Sequence, residues 1–446
     1  MITSPAFAGK RYAVLGLARS GLAVVESLVA SGARVTAWDR QDVARAKVDP
    51  ANVLLGDPLE IDLTGYDGVV VSPGVPLNTH PIAARAAQFG VPVIGDIELF
   101  AQARASLPPH KVVGITGTNG KSTTTTLVHH ILKTAGVPTT MGGNIGLPIL
   151  AQDPLPEGGV YVLELSSYQI DLTYSLDCDV AVLLNVTPDH LDRYESFDAY
   201  AASKARLLEM QEDHWAVIGT DDETSKGIAD RRGVQLSRIS GRELPKSMRG
   251  SPSLQGPHNW QNAAAAIAVA SELGINRPTV EAALETFTGL PHRMERVATH
   301  NGVLFVNDSK ATNTDSTAPA LAAYPPEGNG PRIHWIVGGL PKEDGLGATE
   351  AHLANVKAAY TIGEAGPRFA ELLAGRVPVT NAEMMCAALR EAMAAAAPGD
   401  VILLSPACAS FDQFKDYEQR GERFRQFVDA LIEDASVDPC VQVGAA

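Results

Sequence analysis

Lys121 is the residue whose setting most directly implies chemistry. It lies in Thr116-Gly-Thr-Asn-Gly-Lys-Ser122, between a strand pattern over Lys111–Ile115 and a helix pattern over Thr123–Ala135. Strand, glycine-rich loop and helix in that order form a phosphate cradle. Backbone N–H groups of the loop face the anion, the lysine ammonium reaches the terminal phosphates, and a serine hydroxyl ligates Mg²⁺. The loop is a variant of the GxxxxGK[ST] pattern, because Ile stands at 115 and the glycine falls at 117.

Two further strand patterns end in polar groups. Val160–Leu163 runs into Glu164-Leu-Ser-Ser-Tyr-Gln169, and Val180–Leu184 runs into Asn185-Val-Thr-Pro-Asp-His190-Leu-Asp192. Parallel strands aim such residues at one edge of a sheet, so Glu164 and His190 can both reach a nucleotide-bound metal. Mg²⁺ prefers oxygen, which suits Glu164; His190 fits a loop hydrogen-bonding role equally well. Lys204 falls in a helix pattern over Phe197–Met210 and, taken by itself, is most simply a solvated helix lysine.

The elements that must position these groups divide into three segments. The first opens with a buried-strand run, Tyr12–Leu15, followed by Gly16-Leu-Ala-Arg-Ser-Gly21, a helix pattern through Ala30, and a strand, Arg34–Trp38, that ends at Asp39. This is an opening βαβ of Rossmann type. Gly16 and Gly21 have the outer spacing of GxGxxG, but Ala18 takes the middle position, which makes NAD a weak reading. A strand at Asp67–Val71 leads into Ser72-Pro-Gly74, at a strand end where α/β sheets place ligands. The third segment follows a Gly/Pro interruption at 287–293, a hinge candidate. It has strand patterns at Val303–Val306, Ile333–Val337, Ala359–Ile362 and Val401–Leu404, with polar clusters at 307–313, 338–342 and 405–417.

The expected fold is therefore α/β in three domains: Rossmann-like over 1–99, a central P-loop ATPase-type parallel or mixed sheet over 100–290, and Rossmann-like over 291–446. The length of 446 residues fits that number, and 45% hydrophobic with 20% charged residues is an ordinary globular composition. A net charge of −15 argues against a general basic face for nucleic acid or anionic lipid, so anionic ligands need local devices. A mean hydropathy of +0.01 leaves no excess for membrane insertion. Scattered Cys178, Cys386, Cys408 and Cys440, with no signal-peptide pattern, predict a soluble cytoplasmic protein with reduced thiols.

GTNGKST at 117–123, ELSSYQ at 164–169, NVTPDHLDRY at 185–194, GPHNWQN at 256–262, LPHRME at 290–295, NDSKATN at 307–313 and SPACASFDQFKDYEQRG at 405–421 occur in this order. Together they resemble the Mur ligases over essentially the whole chain, and the last two strings look like the D-glutamate-adding branch. The resemblance implies a cytoplasmic, monomeric enzyme. It would use ATP to phosphorylate the carboxylate of UDP-N-acetylmuramoyl-L-alanine, and D-glutamate would attack the acyl phosphate. By the same resemblance Gly117, Thr118, Asn119, Gly120, Lys121, Ser122 and Thr123 bind the ATP phosphates, Asn259 and Asn262 the adenine, and Arg293 and Asp308 the phosphate and ribose end. Ser122 and Glu164 would hold one Mg²⁺, and His190 with a carbamylated Lys204 a second. Leu17, Ala18, Arg19, Asp39, Arg40, Ser72, Gly74 and Asn144 would meet the UDP substrate. Lys310, Thr312, Lys342, Ser410, Phe411 and Tyr417 would surround D-glutamate, a dicarboxylate that needs cations and hydroxyl donors. Rival readings are a Mur or folylpolyglutamate-type ligase with another acceptor, a nucleotide-dependent regulatory protein, and a nicotinamide oxidoreductase.

Overall fold

The computed structural model describes the chain apart from residues 190, 191, 234, 246, 247, 249, 250, 252, 329, 434–439 and 441–446. Contacts divide it into two compact units, Met1–Leu244 with Gln261–Leu284, and Pro245–Trp260 with Glu285–Ala446.

The first unit carries two sheets. In one, β1 (Arg11–Leu15), β2 (Arg34–Trp38), β3 (Val53–Leu55), β4 (Gly68–Val71) and β5 (Val93–Ile94) lie in the order 3-2-1-4-5, all parallel. In the other, β6 (His110–Thr116), β7 (Thr139–Gly143), β8 (Gly159–Glu164), β9 (Val180–Leu183), β10 (Trp215–Gly219) and β11 (Leu236–Ile239) lie in the order 11-10-9-6-8-7, again all parallel. The chain order reverses beside β1 and beside β6. A doubly wound sheet opens a ligand crevice at the carboxyl ends of such strands.

The sequence explains why these strands are buried on both faces. Val180-Ala-Val-Leu183 and Gly68-Val-Val-Val71 are apolar throughout and wholly buried, as strands covered by helices on both sides require. Each such Val or Leu contributes about 1.5–3 kcal/mol on burial. The helix Asp96–Ala103 follows β5, and its Ile97, Leu99 and Phe100 enter a core that also holds Val112 and Tyr161 of the central sheet. Phe100 meets Tyr161 edge-on at 5.1 Å.

In the second unit β12 (Glu295–His300), β13 (Val303–Asn307), β14 (Ile333–Gly338), β15 (Val356–Ile362), β16 (Val379–Glu383) and β17 (Val401–Leu404) are ordered 12-13-17-14-15-16. Only the edge pair β12 and β13 is antiparallel. One expectation is corrected here: Cys386, in the helix Met385–Ala395, is joined to Cys440 by a disulfide, with a Cα–Cα separation of 5.3 Å. A separation of 54 residues hid this proximity from sequence spacing, while Cys178 and Cys408 are buried and unbridged. Among the described residues no helix is long and apolar enough to cross a membrane.

Candidate active site

The loop after β6 is shaped by backbone geometry first. Gly120 caps the helix Lys121–Thr134 with φ +85°, in the left-handed region, and as a glycine brings no capping side chain to the helix start. A Cβ on Gly120 would stand 2.2 Å from Asn262 Oδ1. Asn185, the first residue of the polar run after β9, then grips the loop: Asn119 N donates to its Oδ1 at 2.9 Å, and its Nδ2 donates to Asn119 O at 3.1 Å. Thr118 Oγ1 donates to Thr187 O at 3.1 Å and accepts from Thr187 N at 3.0 Å. Asn185 was not among the expected site residues, although its position directly after a strand was a visible signal. Thr123 lies on the first turn of the helix, and the Ser122 side chain is buried beside Lys121.

Lys121 Nζ donates to the carbonyls of Gly117 and Thr118, each at 2.8 Å. Lys204 Nζ donates to the same Gly117 carbonyl at 2.9 Å. The reading of Lys204 as a solvated helix lysine is thus corrected, since it is 1% exposed and 4.6 Å from the centroid of the Tyr200 ring. The helix Phe197–Glu209 turns it inward over the loop. Burial, and then the nearby Lys121 ammonium, push the Lys204 pKa well below the usual lysine value, against the opposing pull of Asp189 and Asp171.

Glu164 closes β8 and is 2% exposed. Its Oε1 accepts from Asn144 Nδ2 at 2.9 Å, while Oε2 is buried with no hydrogen-bond partner. An orphaned, buried carboxylate oxygen at a strand end next to a phosphate-binding loop suits a hard divalent cation, with the Ser122 hydroxyl as a second oxygen. His190 lies outside the described residues.

At the edge of the first sheet, the helix Arg19–Ala30 begins at Ala18 without a side-chain cap, which leaves its leading N–H groups directed at that edge. Gly21 allows this, because a Cβ there would sit 1.8 Å from Gly16 O. Asp39 ties the turn together: its Oδ2 accepts from Leu17 N at 2.7 Å and its Oδ1 from Gln41 N at 2.9 Å. Leu17 itself is a core side chain, and Arg40 is exposed. Ser72 Oγ donates to Gly16 O at 3.0 Å, next to the exposed Gly74. Arg19 Nη2 reaches Gly146 O at 2.8 Å, in the loop that carries Asn144.

In the second unit three strand-end loops are bonded to one another. Leu340 and Ala409 exchange backbone hydrogen bonds at 2.9 and 3.0 Å, and Ala407 N donates to Ala311 O at 3.0 Å. This brings Lys342 Nζ to 3.1 Å from Thr312 Oγ1 and the Lys310 ammonium to 4.0 Å from the Tyr417 ring centroid. Ser410 is buried and Phe411 is 69% exposed. Arg420, also missed from sequence, locks two of these loops together. Its buried guanidinium donates to Ser309 Oγ and O and to the carbonyls of Cys408 and Ala409 at 2.9–3.2 Å. Asp308 is buried between Ser405 Oγ, 2.8 Å from its Oδ2, and Met294 N, 3.1 Å from its Oδ1. Burial raises its pKa to about 7. Arg293 N donates to Leu290 O at 3.3 Å, and Asn259 Nδ2 donates to Gln255 O at 3.0 Å.

A variant phosphate loop on a parallel sheet, flanked by a buried carboxylate and a buried lysine, defines a nucleotide-phosphate-binding α/β protein. Family models agree along the chain: a Mur ligase MurD-like N-terminal domain matches residues 10–95, a Mur ligase middle domain 115–250, and a Mur ligase glutamate ligase domain 292–408. The chain belongs to the Mur ligase family. It is 65% identical to the UDP-N-acetylmuramoylalanine--D-glutamate ligase of Novosphingobium aromaticivorans, over 99% of each chain. It is 60% identical to the ligase of the same name from Sphingopyxis alaskensis, over 97% of this chain and 100% of that one. Among solved structures, the Thermotoga maritima UDP-N-acetylmuramate-alanine ligase MurC matches with a TM-score of 0.57 at 19% identity, over 94% of this chain and 99% of that one. MurF from Acinetobacter baumannii gives 0.58 at 16%, over 97% and 93%, and likewise shares the fold.

Proposed function

We propose that the chain joins D-glutamate to UDP-N-acetylmuramoyl-L-alanine with ATP, through an acyl phosphate, as a cytoplasmic monomer in peptidoglycan precursor synthesis. The observation that carries this reading is the pair of lysines on the Gly117 carbonyl after β6, together with the orphaned Glu164 oxygen at the end of the neighbouring strand β8. That constellation suits transfer of a phosphoryl group to a carboxylate, which asks the protein for positioning and fixed charge and little covalent chemistry. The 65% identity to a D-glutamate ligase supports the choice of acceptor.

In this reading residues 1–99 take the UDP substrate, 100–290 take ATP, and 291–446 take the amino acid. Residues 117–123 hold the phosphates. Lys121 turns from its loop carbonyls to the β- and γ-phosphates and stabilises charge as the phosphoryl group leaves. Asn259 and Asn262 take the adenine, with Arg293 and Asp308 at its phosphate and ribose end. Mg²⁺ would be held by Ser122 and Glu164, and a second ion by His190 and a carbamate on Lys204; bound there, it would neutralise phosphate charge. Leu17 and Ala18, through their backbone, with Arg19, Asp39, Arg40, Ser72, Gly74 and Asn144 take the UDP substrate. Lys310, Thr312, Lys342, Ser410, Phe411 and Tyr417 orient D-glutamate so that its amine meets the acyl carbon away from water.

The test is phosphate release by the purified chain with ATP, UDP-N-acetylmuramoyl-L-alanine and a panel of D- and L-amino acids. Release with D-glutamate alone, matched by the mass of the ligated product, is expected. Turnover with another acceptor, or with folate glutamylation substrates, would replace this reading with that of a related ligase.

A further inference from the structure

Two loops of the first unit hold each other by reciprocal hydrogen bonds that none of the nucleotide or substrate roles above uses. Arg193 Nη2 donates to Val75 O at 3.2 Å, and Asn78 Nδ2 donates back to Asp192 O at 3.0 Å. Each loop therefore lends one side chain to the other's backbone. One is the run after Ser72 at the edge of the first sheet; the other is the polar run that begins at Asn185 beside the phosphate loop. The loop after Ser72 turns on itself, with Val75 N on Ser72 O at 3.0 Å and His80 N on Pro76 O at 2.8 Å. The Val75 carbonyl is thus fixed relative to Ser72 before Arg193 reaches it.

Arg193 is fixed from its other side as well. Its guanidinium carbon lies 4.2 Å from the centroid of the Tyr168 ring, and Tyr168 stacks on Tyr194 with 6.1 Å between centroids and 13° between planes. Tyr168 belongs to the helix Ser167–Asp171, which starts on a Ser166–Gln169 capping box two residues after Glu164. Tyr194 is anchored in turn, its hydroxyl donating to Asp171 Oδ2 at 2.7 Å. An unbroken series of contacts thus runs from Ser72, through Val75 and Arg193, to the helix that follows the Glu164 strand.

We infer that Arg193 and Asn78 form a latch that positions the Ser72 loop for the UDP-linked substrate relative to the phosphoryl-transfer centre. Arg193 acts here as a positioning residue. This inference rests on the proposed function for its kinetic consequence, and on geometry alone for the latch. A planar guanidinium can donate to Val75 O while stacked on Tyr168; a lysine can do the first but loses most of the second.

The experiment compares wild type, Arg193→Ala, Arg193→Lys and Asn78→Ala by two readouts. Hydrogen–deuterium exchange of the ligand-free chain is expected to speed up over residues 74–80 in both alanine variants, with the phosphate-loop amides unchanged. In steady-state kinetics Arg193→Ala is expected to raise the KM for UDP-N-acetylmuramoyl-L-alanine roughly tenfold, as for loss of one charge-assisted hydrogen bond, with Arg193→Lys in between. KM values for ATP and D-glutamate should stay within about twofold. Unchanged exchange over 74–80 in both alanine variants overturns the latch. Faster exchange with an unchanged KM for the UDP substrate, or an equal rise in all KM values, overturns its positioning role. Should Arg193→Ala fail to fold, Asn78→Ala carries the same two readouts. A wild type that does not turn over the UDP substrate overturns the proposed function instead, and exchange still decides the latch.

Discussion

Lys121 and Lys204 donate to one and the same carbonyl oxygen, that of Gly117, at 2.8 and 2.9 Å. Two ammonium groups converging on one acceptor repel each other, and the buried member yields: the Lys204 pKa is driven down by burial first and by Lys121 second. A lysine inclined to be neutral is the form that can add CO₂. The resulting carbamate would replace a cation next to Lys121 with an anion and supply a hard oxygen for Mg²⁺.

Lys204 is accordingly expected to carry a carbamate in the working enzyme. Incubation with carbon-13-labelled bicarbonate should give a carbamate carbon resonance that Lys204→Ala lacks. Lys204→Ala should be nearly inactive and partly restored by short carboxylic acids. Full activity in that variant, or no restoration of an inactive one by any carboxylate, contradicts the role.

The same lysine makes stability depend on pH when CO₂ is excluded. Its folded pKa lies below the ordinary 10.5, so between those two values the unfolded chain binds more protons than the folded one. Stability therefore rises as pH climbs through that interval, and outside it Lys204 adds no further pH dependence, its full burial cost remaining on the acid side. Urea titrations at stepped alkaline pH should show this rise in wild type and a flatter profile in Lys204→Met. Equal slopes for the two chains would contradict it.

Gly120→Ala is expected to damage both fold and activity. The position has φ +85°, and the added Cβ would stand 2.2 Å from Asn262 Oδ1. A left-handed non-glycine residue costs about 1–3 kcal/mol before the contact is counted. Removing the clashing partner with Asn262→Ala should make the double variant less destabilised than the sum of the singles. Thermal melts of the four chains check this, and strict additivity would show that the two residues do not meet.

Lys342→Ala is expected to act on the acceptor alone. Lys342 Nζ is 3.1 Å from Thr312 Oγ1, at the mouth of three loops, two of them held by Arg420 and the third by the Leu340–Ala409 backbone bonds. Loss of one charge-assisted bond to a carboxylate should raise the KM for D-glutamate roughly ten- to a hundredfold. The KM for ATP should change little. An effect confined to ATP would move the acceptor site elsewhere.

Much of this frame was legible because buried parallel strands are written as apolar runs. Arg34–Trp38 and Val401–Leu404 are found with their bounds intact. The helix after the phosphate loop starts at Lys121 rather than Thr123, since its first turn is polar and its start is set by Gly120. The strands Thr139–Gly143 and Val379–Glu383 carry no such run: the first ends in two glycines, and the second is half-exposed. Lys204 and Arg420 were misjudged or missed for one reason. Their burial comes from a helix crossing a loop distant in sequence, and nothing beside Ala-Ser-Lys-Ala or Gln-Arg-Gly announces it. Asp39 was visible as the acid ending a second strand, but its hydrogen bonds to Leu17 N and Gln41 N are tertiary facts.

The central claim is that the lysine pair and Glu164 drive phosphoryl transfer onto the substrate carboxylate. The most direct measurement labels both carboxylate oxygens of UDP-N-acetylmuramoyl-L-alanine with oxygen-18 and follows the label through one turnover with ATP and D-glutamate. Formation of an acyl phosphate and its opening by the amine must leave one labelled oxygen in the released phosphate and one in the new amide. Phosphate carrying one oxygen-18 atom is the predicted result; phosphate free of label alongside ligated product would contradict the account.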